Sequence, residues 1–495
     1  VDWNFAEAKT DYFAHSLHPY PAKFIPQIPR TLVALLSEPG DLVWDPFGGS
    51  GTTALEALLL GRRALSTDIN PVAEVVGKAK TTTLVPEVEF ELAQFASEIK
   101  MLAASPERVS ALTSNLLEEQ VPNIPNIDKW FEREAIRELA YLRLRINELS
   151  HDARTIALAA FSKQILSASN QDGETRYAAV RRSISPGDVL SGVAKQITAT
   201  LSKLDDQAGH LQFRTADFRT LDLRSQVVAS DTDGFISPES VDLVVTSPPY
   251  PNATDYHLYH RFRIFWLGHD PKKMGQAEIG SHLRHQKQAT EFSSYIDEMT
   301  AALRNVNAAL KPGGLAVIVV GDAVFKGETF PTSKHLGVAA ESVGMRVLAE
   351  IDRDLPENKR SFISAARRLR KEQLLVLRKP TSRQKLFLSP PVYKLQPYED
   401  SLRQLEVEQL VGRPSIGAEA MTVMAEPVNA RLARRLAFTS RTRTVKGASE
   451  KTWQALLENG DALEAAKSER KKDPKYVTHG IHPYKGKFYP QLGKA

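Results

Sequence analysis

The sequence predicts an α/β chain built on an open, seven-stranded, mainly parallel sheet, with a helical insertion and a C-terminal extension. Three observations predict it. Short apolar runs alternate with helical periodicity, a glycine-rich turn follows the first run directly, and a long stretch of purely helical pattern interrupts the alternation. Residues 31–80 read as helix, strand, glycine turn, helix, strand, with strands at 42–44 and 63–67 and a helix at 52–60. Residues 86–205 then carry helical periodicity at 90–102, 136–149 and 155–166, the mark of an inserted helical domain. Strand signals resume at 211–213, 241–245, 315–320, 345–350 and 373–377. The sheet domain is thus expected from 1–85 and 206–380. After Pro380 the pattern weakens and Pro, Arg and Ser become frequent, so 381–475 is expected to be a loosely packed helical extension.

The segment 476–495 reads as the start of a repeat. His15, His18-Pro19-Tyr20, Lys23-Phe24 and Pro26-Gln27 return at the same spacing as His479, His482-Pro483-Tyr484, Lys487-Phe488 and Pro490-Gln491. A duplication explains that agreement better than chance does. No second glycine turn follows, as expected of a unit cut short.

Composition bounds the function. A chain of 495 residues is expected to form two or three domains, and 42% hydrophobic with 25% charged residues is globular usage. No apolar run approaches the length of about eighteen that spans a bilayer, and no charged-then-apolar leader opens the chain. It begins at Val1, as a trimmed N-terminus would. The net charge of +5 is clustered: Lys359, Arg360, Arg367, Arg368, Arg370 and Lys371 form one group, and Arg431, Arg434, Arg435, Arg441, Arg443 and Lys446 another. Such groups suit a phosphate backbone or, equally, a solvated helix face. The absence of cysteine removes disulfides, cysteine zinc sites and any thiolate nucleophile.

The chemistry lies in two motifs. Asp45-Pro46-Phe47-Gly48-Gly49-Ser50-Gly51-Thr52-Thr53 follows a strand and opens a helix, where glycines let backbone approach a ligand closely. An acid at the strand end and no phosphate-binding lysine suit a ligand with an ammonium and a sulfonium rather than phosphates. Asp68 ends the next strand at the offset where an acid meets ribose hydroxyls, and Asp217 follows the third, where an acceptor can take an adenine amine. Alone, each acid reads equally well as a cap or turn residue; in strand order they describe a nucleoside pocket. The second motif, Thr246-Ser247-Pro248-Pro249-Tyr250, follows an apolar strand. Two prolines lock φ and lack N–H groups, so this is a rigid, acceptor-rich corner. The Ser247 hydroxyl and the Pro248 carbonyl can accept from an amine, and Tyr250 offers a stacking face.

On these residues the chain resembles the amino-methyltransferase family of bacterial DNA modification enzymes. The glycine turn resembles the family's cofactor motif and Ser247-Pro248-Pro249-Tyr250 its catalytic motif. Leu310-Lys311-Pro312-Gly313-Gly314 resembles the entry to its fifth strand, and 15–27 the element ahead of its glycine turn. Cofactor motif first, long insertion, catalytic motif second is similar to the family's alpha ordering. The resemblance implies a Rossmann-like methyltransferase sheet and S-adenosyl-L-methionine as cofactor. It places Asp45, Phe47, Gly49, Gly51, Thr52, Asp68 and Asp217 around that cofactor, with Lys23 and Phe24 from the preceding segment. It also implies target recognition by the insertion, double-stranded DNA as partner, a cognate restriction endonuclease, and a cytoplasmic, nucleoid-associated site of action. No metal is implied: His257 and His260 have no acids at ligand spacing. The run 255–262 reads as a lip around a base or as a core helix.

A base inside a duplex cannot reach such a pocket and must flip out. Methylation at cytosine C5 takes a ring-adding nucleophile, normally cysteine, and is excluded. Serine at the head of the corner implies cytosine N4 by resemblance, with adenine N6 the alternative. An RNA amine methyltransferase would share the sheet and corner but normally adds an RNA-binding module, of which no sign is present. A degenerate, non-catalytic DNA-reading subunit would not be expected to keep Asp45, Asp68, Ser247 and Tyr250.

Overall fold

The computed structural model describes residues 2–452 apart from 115–117, 175–177, 212–215, 230–234, 251–254, 282–291, 326–327, 355–370, 381–383, 392–394, 417–420, 426–432, 434–435 and 445–448. The terminal repeat therefore lies outside the described residues. So do Lys359, Arg360, Arg367, Arg368 and Arg370 of the first basic group, and Arg431, Arg434, Arg435 and Lys446 of the second.

The chain divides into two units, Val1–Lys379 and Pro380–Ala495. In the first, the described residues form nine strands: β1 (Leu42–Asp45), β2 (Arg63–Asp68), β3 (Ala216–Thr220), β4 (Val241–Thr246), β5 (Leu310–Gly321), β6 (Ala323–Phe325), β7 (Glu328–Phe330), β8 (Arg346–Asp354) and β9 (Lys371–Arg378). Seven of them make one sheet in the order β3-β2-β1-β4-β5-β9-β8, and β6 and β7 form a separate ribbon. Pairs from β3 through β5 are parallel, while β9 runs antiparallel to β5 and to β8. Every residue of β4 is buried, as a central strand covered on both faces requires. Its Asp242 survives there because it accepts from Leu42 N at 2.9 Å and Lys311 Nζ at 2.7 Å. Strand order reverses between β1 and β4, which opens a crevice at their carboxyl ends.

Helices α1 (Gln27–Leu36), α2 (Thr52–Leu59) and α3 (Pro71–Thr81) flank these strands. Asn70 starts α3, its side chain accepting from Val72 N, with Pro71 in the first turn where a missing N–H costs nothing. Close packing of α3 on β3 depends on Gly77: a Cβ there would lie 2.2 Å from the Phe218 ring. Gly77→Ala is expected to cost about 1–3 kcal/mol, measured as a lowered urea midpoint with unchanged slope.

Between β2 and β3 the described secondary structure is mainly helical, including Pro86–Ala103, Arg133–Asn147, His151–Ser167 and Asp188–Leu211. Buried Glu138 accepts from Gly187 N at 2.6 Å and Leu190 N at 2.9 Å, satisfying the start of the last of these. That helix runs through Leu211, so the strand expected at 211–213 is displaced: β3 begins at Ala216. Apolar Leu211 belongs to a helical stripe, which a three-residue apolar run cannot be distinguished from.

The second unit corrects another expectation. Instead of a loose helical extension, it holds a five-stranded antiparallel sheet. Its strands are β10 (Gln384–Ser389), β11 (Pro414–Ile416), β12 (Met421–Ala425), β13 (Arg441–Thr444) and β14 (Ser449–Lys451), in the order β11-β12-β10-β13-β14. The helix Pro397–Leu410, opened by a Gln396–Glu399 capping box, accompanies the sheet. Leu386, Leu388, Met421, Val423 and Ala425 alternate into a core with Val407, Val411 and Leu436. Each period-two run is short and flanked by Arg, Ser and Pro, which hid it. Arg441 and Arg443 are exposed on β13, with the Arg443 guanidinium 4.9 Å from the Phe387 ring centre. Among the described residues no helix is long and apolar enough to cross a membrane.

Candidate active site

The carboxyl ends of β1 to β4 surround a cleft of about 860 Å³. Its floor is the glycine turn. Trp44, fully buried in β1, donates from Nε1 to Thr67 Oγ1 at 3.1 Å, and Thr67 donates to the Pro46 carbonyl at 3.0 Å. The turn is thereby tied to β2. Asp68 Oδ2 accepts from Gly49 N at 2.8 Å and Oδ1 from Asn70 N at 2.9 Å. Asp45 Oδ1 accepts from Phe47 N at 3.1 Å and from Thr246 Oγ1 at 2.6 Å, which joins the first motif to the strand that carries the second. Gly49 has φ +48°, a conformation that side chains rarely adopt, and a Cβ there would crowd the Tyr20 ring at 3.3 Å.

The segment 12–24 closes one wall. Glu56 on α2, fully buried, receives Tyr12 Oη at 2.5 Å, His15 Nε2 at 2.8 Å and Arg30 Nη1 at 3.2 Å. Lys23 donates from Nζ to the carbonyls of His15 at 3.2 Å and His18 at 2.5 Å. Burial, with repulsion from Lys163 and Lys203, brings its ammonium down to about 8. Tyr20 is held by Asn70 Nδ2, which donates to its oxygen at 3.1 Å, and by the His260 ring at 4.7 Å. Leu221, Leu223, Met274 and Ile279 supply an apolar wall opposite, beside Tyr256 and Glu278. Glu278 accepts from Tyr256 N at 2.6 Å and pairs with His257 Nδ1 at 2.6 Å.

Of the residues expected from the sequence, Lys23, Phe24, Asp45, Phe47, Gly49, Thr52, Asp68, Ser247 and Pro249 line this cleft. Four do not. Gly51, at φ +75°, faces Gly77 and Phe218, where its lack of a side chain serves packing. Asp217 lies exposed inside β3 opposite Leu65, and Asp222, past the strand's end, stands in the cleft instead. The cause is the displaced strand: an acid chosen from a strand ending at 213 falls three residues short of Thr220, where β3 ends. Asp222 is also held by Arg224 Nη2 at 2.7 Å. Pro248 is buried in the corner, and Tyr250 turns its hydroxyl to Glu372 Oε1 at 2.7 Å. The run 255–262 proves divided: Tyr256 lines the cleft, whereas His260, Arg261 and Phe262 are buried in packing. Tyr20, Asp222 and Glu278 were missed. Tyr20 had a signal in the repeated His-Pro-Tyr; Glu278 had none.

This cleft fits S-adenosyl-L-methionine. Among the described residues neither Asp45 nor Asp68 is ion-paired, so both remain acceptors for an ammonium and for ribose hydroxyls. The apolar wall suits a purine face. Burial raises both carboxyls to about 6, against the hydrogen bonds that favour their ionised forms. A raised carboxyl stabilises the fold while protonated, and that share is lost as pH climbs from the ordinary 3.8 through about 6. The unliganded protein is expected to lose stability over that window relative to Asp45→Asn, as paired melting curves would record. Cofactor affinity, which takes ionised acceptors, is expected to rise across the same window in calorimetric titrations.

The family model for DNA methylases of the N6/N4 kind matches residues 3–76 and 241–473, leaving out the helical insertion. The type II methyltransferase M.MvaI of Kocuria varians is 24% identical over 408 residues, which is 72% of this chain and 87% of that one. The type II methyltransferase M.BsoBI of Geobacillus stearothermophilus is 22% identical over 276 residues, and this chain spans 53% of its length. A TehB-like SAM-dependent methyltransferase from Corynebacterium glutamicum, 12% identical over 76% of this chain and 92% of its own, superposes with a TM-score of 0.27, too low to carry an argument. The family match covers more than half of the chain and includes both the glycine turn and the proline corner. This chain belongs to the N6/N4 DNA methylase family.

Proposed function

We propose that the chain methylates the exocyclic N4 amine of cytosine in double-stranded DNA, using S-adenosyl-L-methionine. The observation that carries this reading is that Ser247 and Pro249 line the same cleft as Asp45, Gly49 and Asp68. When bound, the cofactor supplies an electrophilic methyl group on a sulfonium. Asp45 takes its ammonium, Asp68 its ribose, and Asp222 with Leu221 and Leu223 its adenine. The target base flips out of the duplex into the remaining space. Ser247 Oγ and the Pro248 carbonyl accept from its amine, turning the nitrogen lone pair out of ring conjugation and towards the methyl. The Thr246–Asp45 hydrogen bond fixes the corner against the cofactor floor, so orientation and fixed dipoles supply the acceleration. The serine at the head of the corner supports cytosine. A restriction endonuclease of matching specificity and a nucleoid location go with the reading.

Incubation with methyl-labelled cofactor and mixed-sequence duplexes, then digestion to nucleosides, tests it. Label in N4-methylcytosine is expected. Label in N6-methyladenine would move the base, label in RNA alone would change the substrate class, and the absence of both cofactor binding and transfer would leave a DNA-reading subunit.

A further inference from the structure

Amine methylation leaves a proton to remove. The amine nitrogen begins with two hydrogens and ends, once methylated and neutral, with one. Beyond the cleft, the corner is continued by side chains that the methyl transfer itself does not use. Tyr250 donates its hydroxyl proton to Glu372 Oε1 at 2.7 Å, and Arg353 Nη1 donates to Glu372 Oε2 at 3.0 Å. The Ser247 side chain lies within interaction reach of the Tyr250 hydroxyl, three residues along the same corner. Glu372 and Arg353 face each other across β9 and β8, and Glu372 also stands in register with Gly321 at the end of β5. Arg353 is 3% exposed, and among the described residues its Nε and Nη2 have no partner, so its one hydrogen bond goes to Glu372.

The chemistry of these groups fixes the direction of the chain. An ionised carboxylate only accepts and a guanidinium only donates. Glu372, paired with Arg353, therefore takes the tyrosine proton. The Tyr250 oxygen is left to accept from Ser247, and the lone pairs of Ser247 Oγ are left facing the amine. Serine in this setting is an acceptor by construction.

We propose that Ser247, Tyr250 and Glu372 form a proton relay that takes the amine proton as the nitrogen–carbon bond forms, with Glu372 the terminal acceptor and Arg353 its counter-charge. This rests on the amine-methylation reading above. The nitrogen lone pair forms the bond to the methyl carbon, and the sulfur–carbon bond breaks with its electrons staying on sulfur. The amine proton passes to Ser247 Oγ, the serine proton to Tyr250 Oη, and the tyrosine proton to Glu372 Oε1. Serine and tyrosine end unchanged, and the carboxylate ends as a neutral acid beside a buried, now uncompensated arginine. That imbalance drives the proton on to solvent and resets the site. Tyr250, outside the cleft lining, serves the relay as a proton conductor between the corner and the carboxylate.

Single-turnover methyl transfer on duplex DNA tests the relay, with cofactor binding measured on each variant. Tyr250→Phe keeps the ring and leaves the Glu372–Arg353 pair intact. Glu372→Gln keeps an acceptor for the tyrosine hydroxyl but cannot hold a second proton. Both are expected to bind cofactor as the unaltered chain does and to transfer methyl about 10²–10³-fold more slowly. The double variant is expected to be no slower than either, because the groups act in series. The unaltered chain is expected to show a solvent deuterium isotope effect on this step. Glu372→Gln at full rate, or a double variant whose loss is the product of the two, would overturn the relay and leave Glu372 as an anchor for the ring. If the unaltered chain binds cofactor and transfers nothing to DNA, the reading beneath it falls first, and no variant is needed to see that.

Discussion

Asp68→Ala is expected to weaken S-adenosyl-L-methionine binding by about 10²-fold or more. Its carboxylate, half-buried at the end of β2, accepts from Gly49 N and Asn70 N. Truncation leaves both amides without their acceptor, and each orphaned buried donor costs about 1–3 kcal/mol. It also frees the glycine turn at the one residue whose left-handed φ brings it under Tyr20, and it removes the acceptor for the ribose. These losses act on one ligand, so they compound. Isothermal titration measures the change, and Asp217→Ala is the control. That acid is exposed inside β3 and outside the cleft, and its removal is expected to leave affinity unchanged. Equal losses from the two variants would show that the pocket had been placed on the wrong acids.

Ser247→Ala is expected to do the reverse, sparing cofactor affinity while lowering kcat by about 10²–10³-fold. Ser247 lines the cleft, and among the described residues the partners of Asp45 and Asp68 do not include it, so its expected contribution falls on the amine in the transition state. Removing one fixed hydrogen-bonding group aimed at developing charge costs about 3–4 kcal/mol of barrier. An interaction made only in that state lowers kcat and kcat/KM together. Steady-state kinetics on duplex DNA makes the distinction. A raised KM with intact kcat would assign Ser247 to ground-state binding.

The sheet was legible because its signals were local. Leu42–Asp45 and Val241–Thr246 are apolar runs that end in an acid-glycine turn and a double proline, features that hardly occur by chance in one chain. The floor and the corner were legible for the same reason. What could not be read was set by tertiary partners. Leu211 is apolar whether it ends a helix or starts a strand, and that single ambiguity moved the third acid from Asp222 to Asp217. Glu278 owes its place to the backbone amides of Tyr256 and His257, twenty-odd residues before it. Tyr250 was read from the sequence as part of the corner, but its attachment to Glu372 depends on β9 running antiparallel beside β5, which no periodicity announces. In the second unit, three- to six-residue strands rich in Arg and Ser gave too short a pattern to outweigh their loop-like composition.

A crystal structure with S-adenosyl-L-homocysteine and a duplex bearing the methylated sequence tests the central claim most directly. The account predicts the ribose on Asp68, the amino group on Asp45 and an extruded base whose amine meets Ser247 Oγ, with the sulfur on the same side of the corner. A nucleoside bound away from Asp68, or a base stacked in the duplex with Ser247 turned from the sulfur, would contradict it.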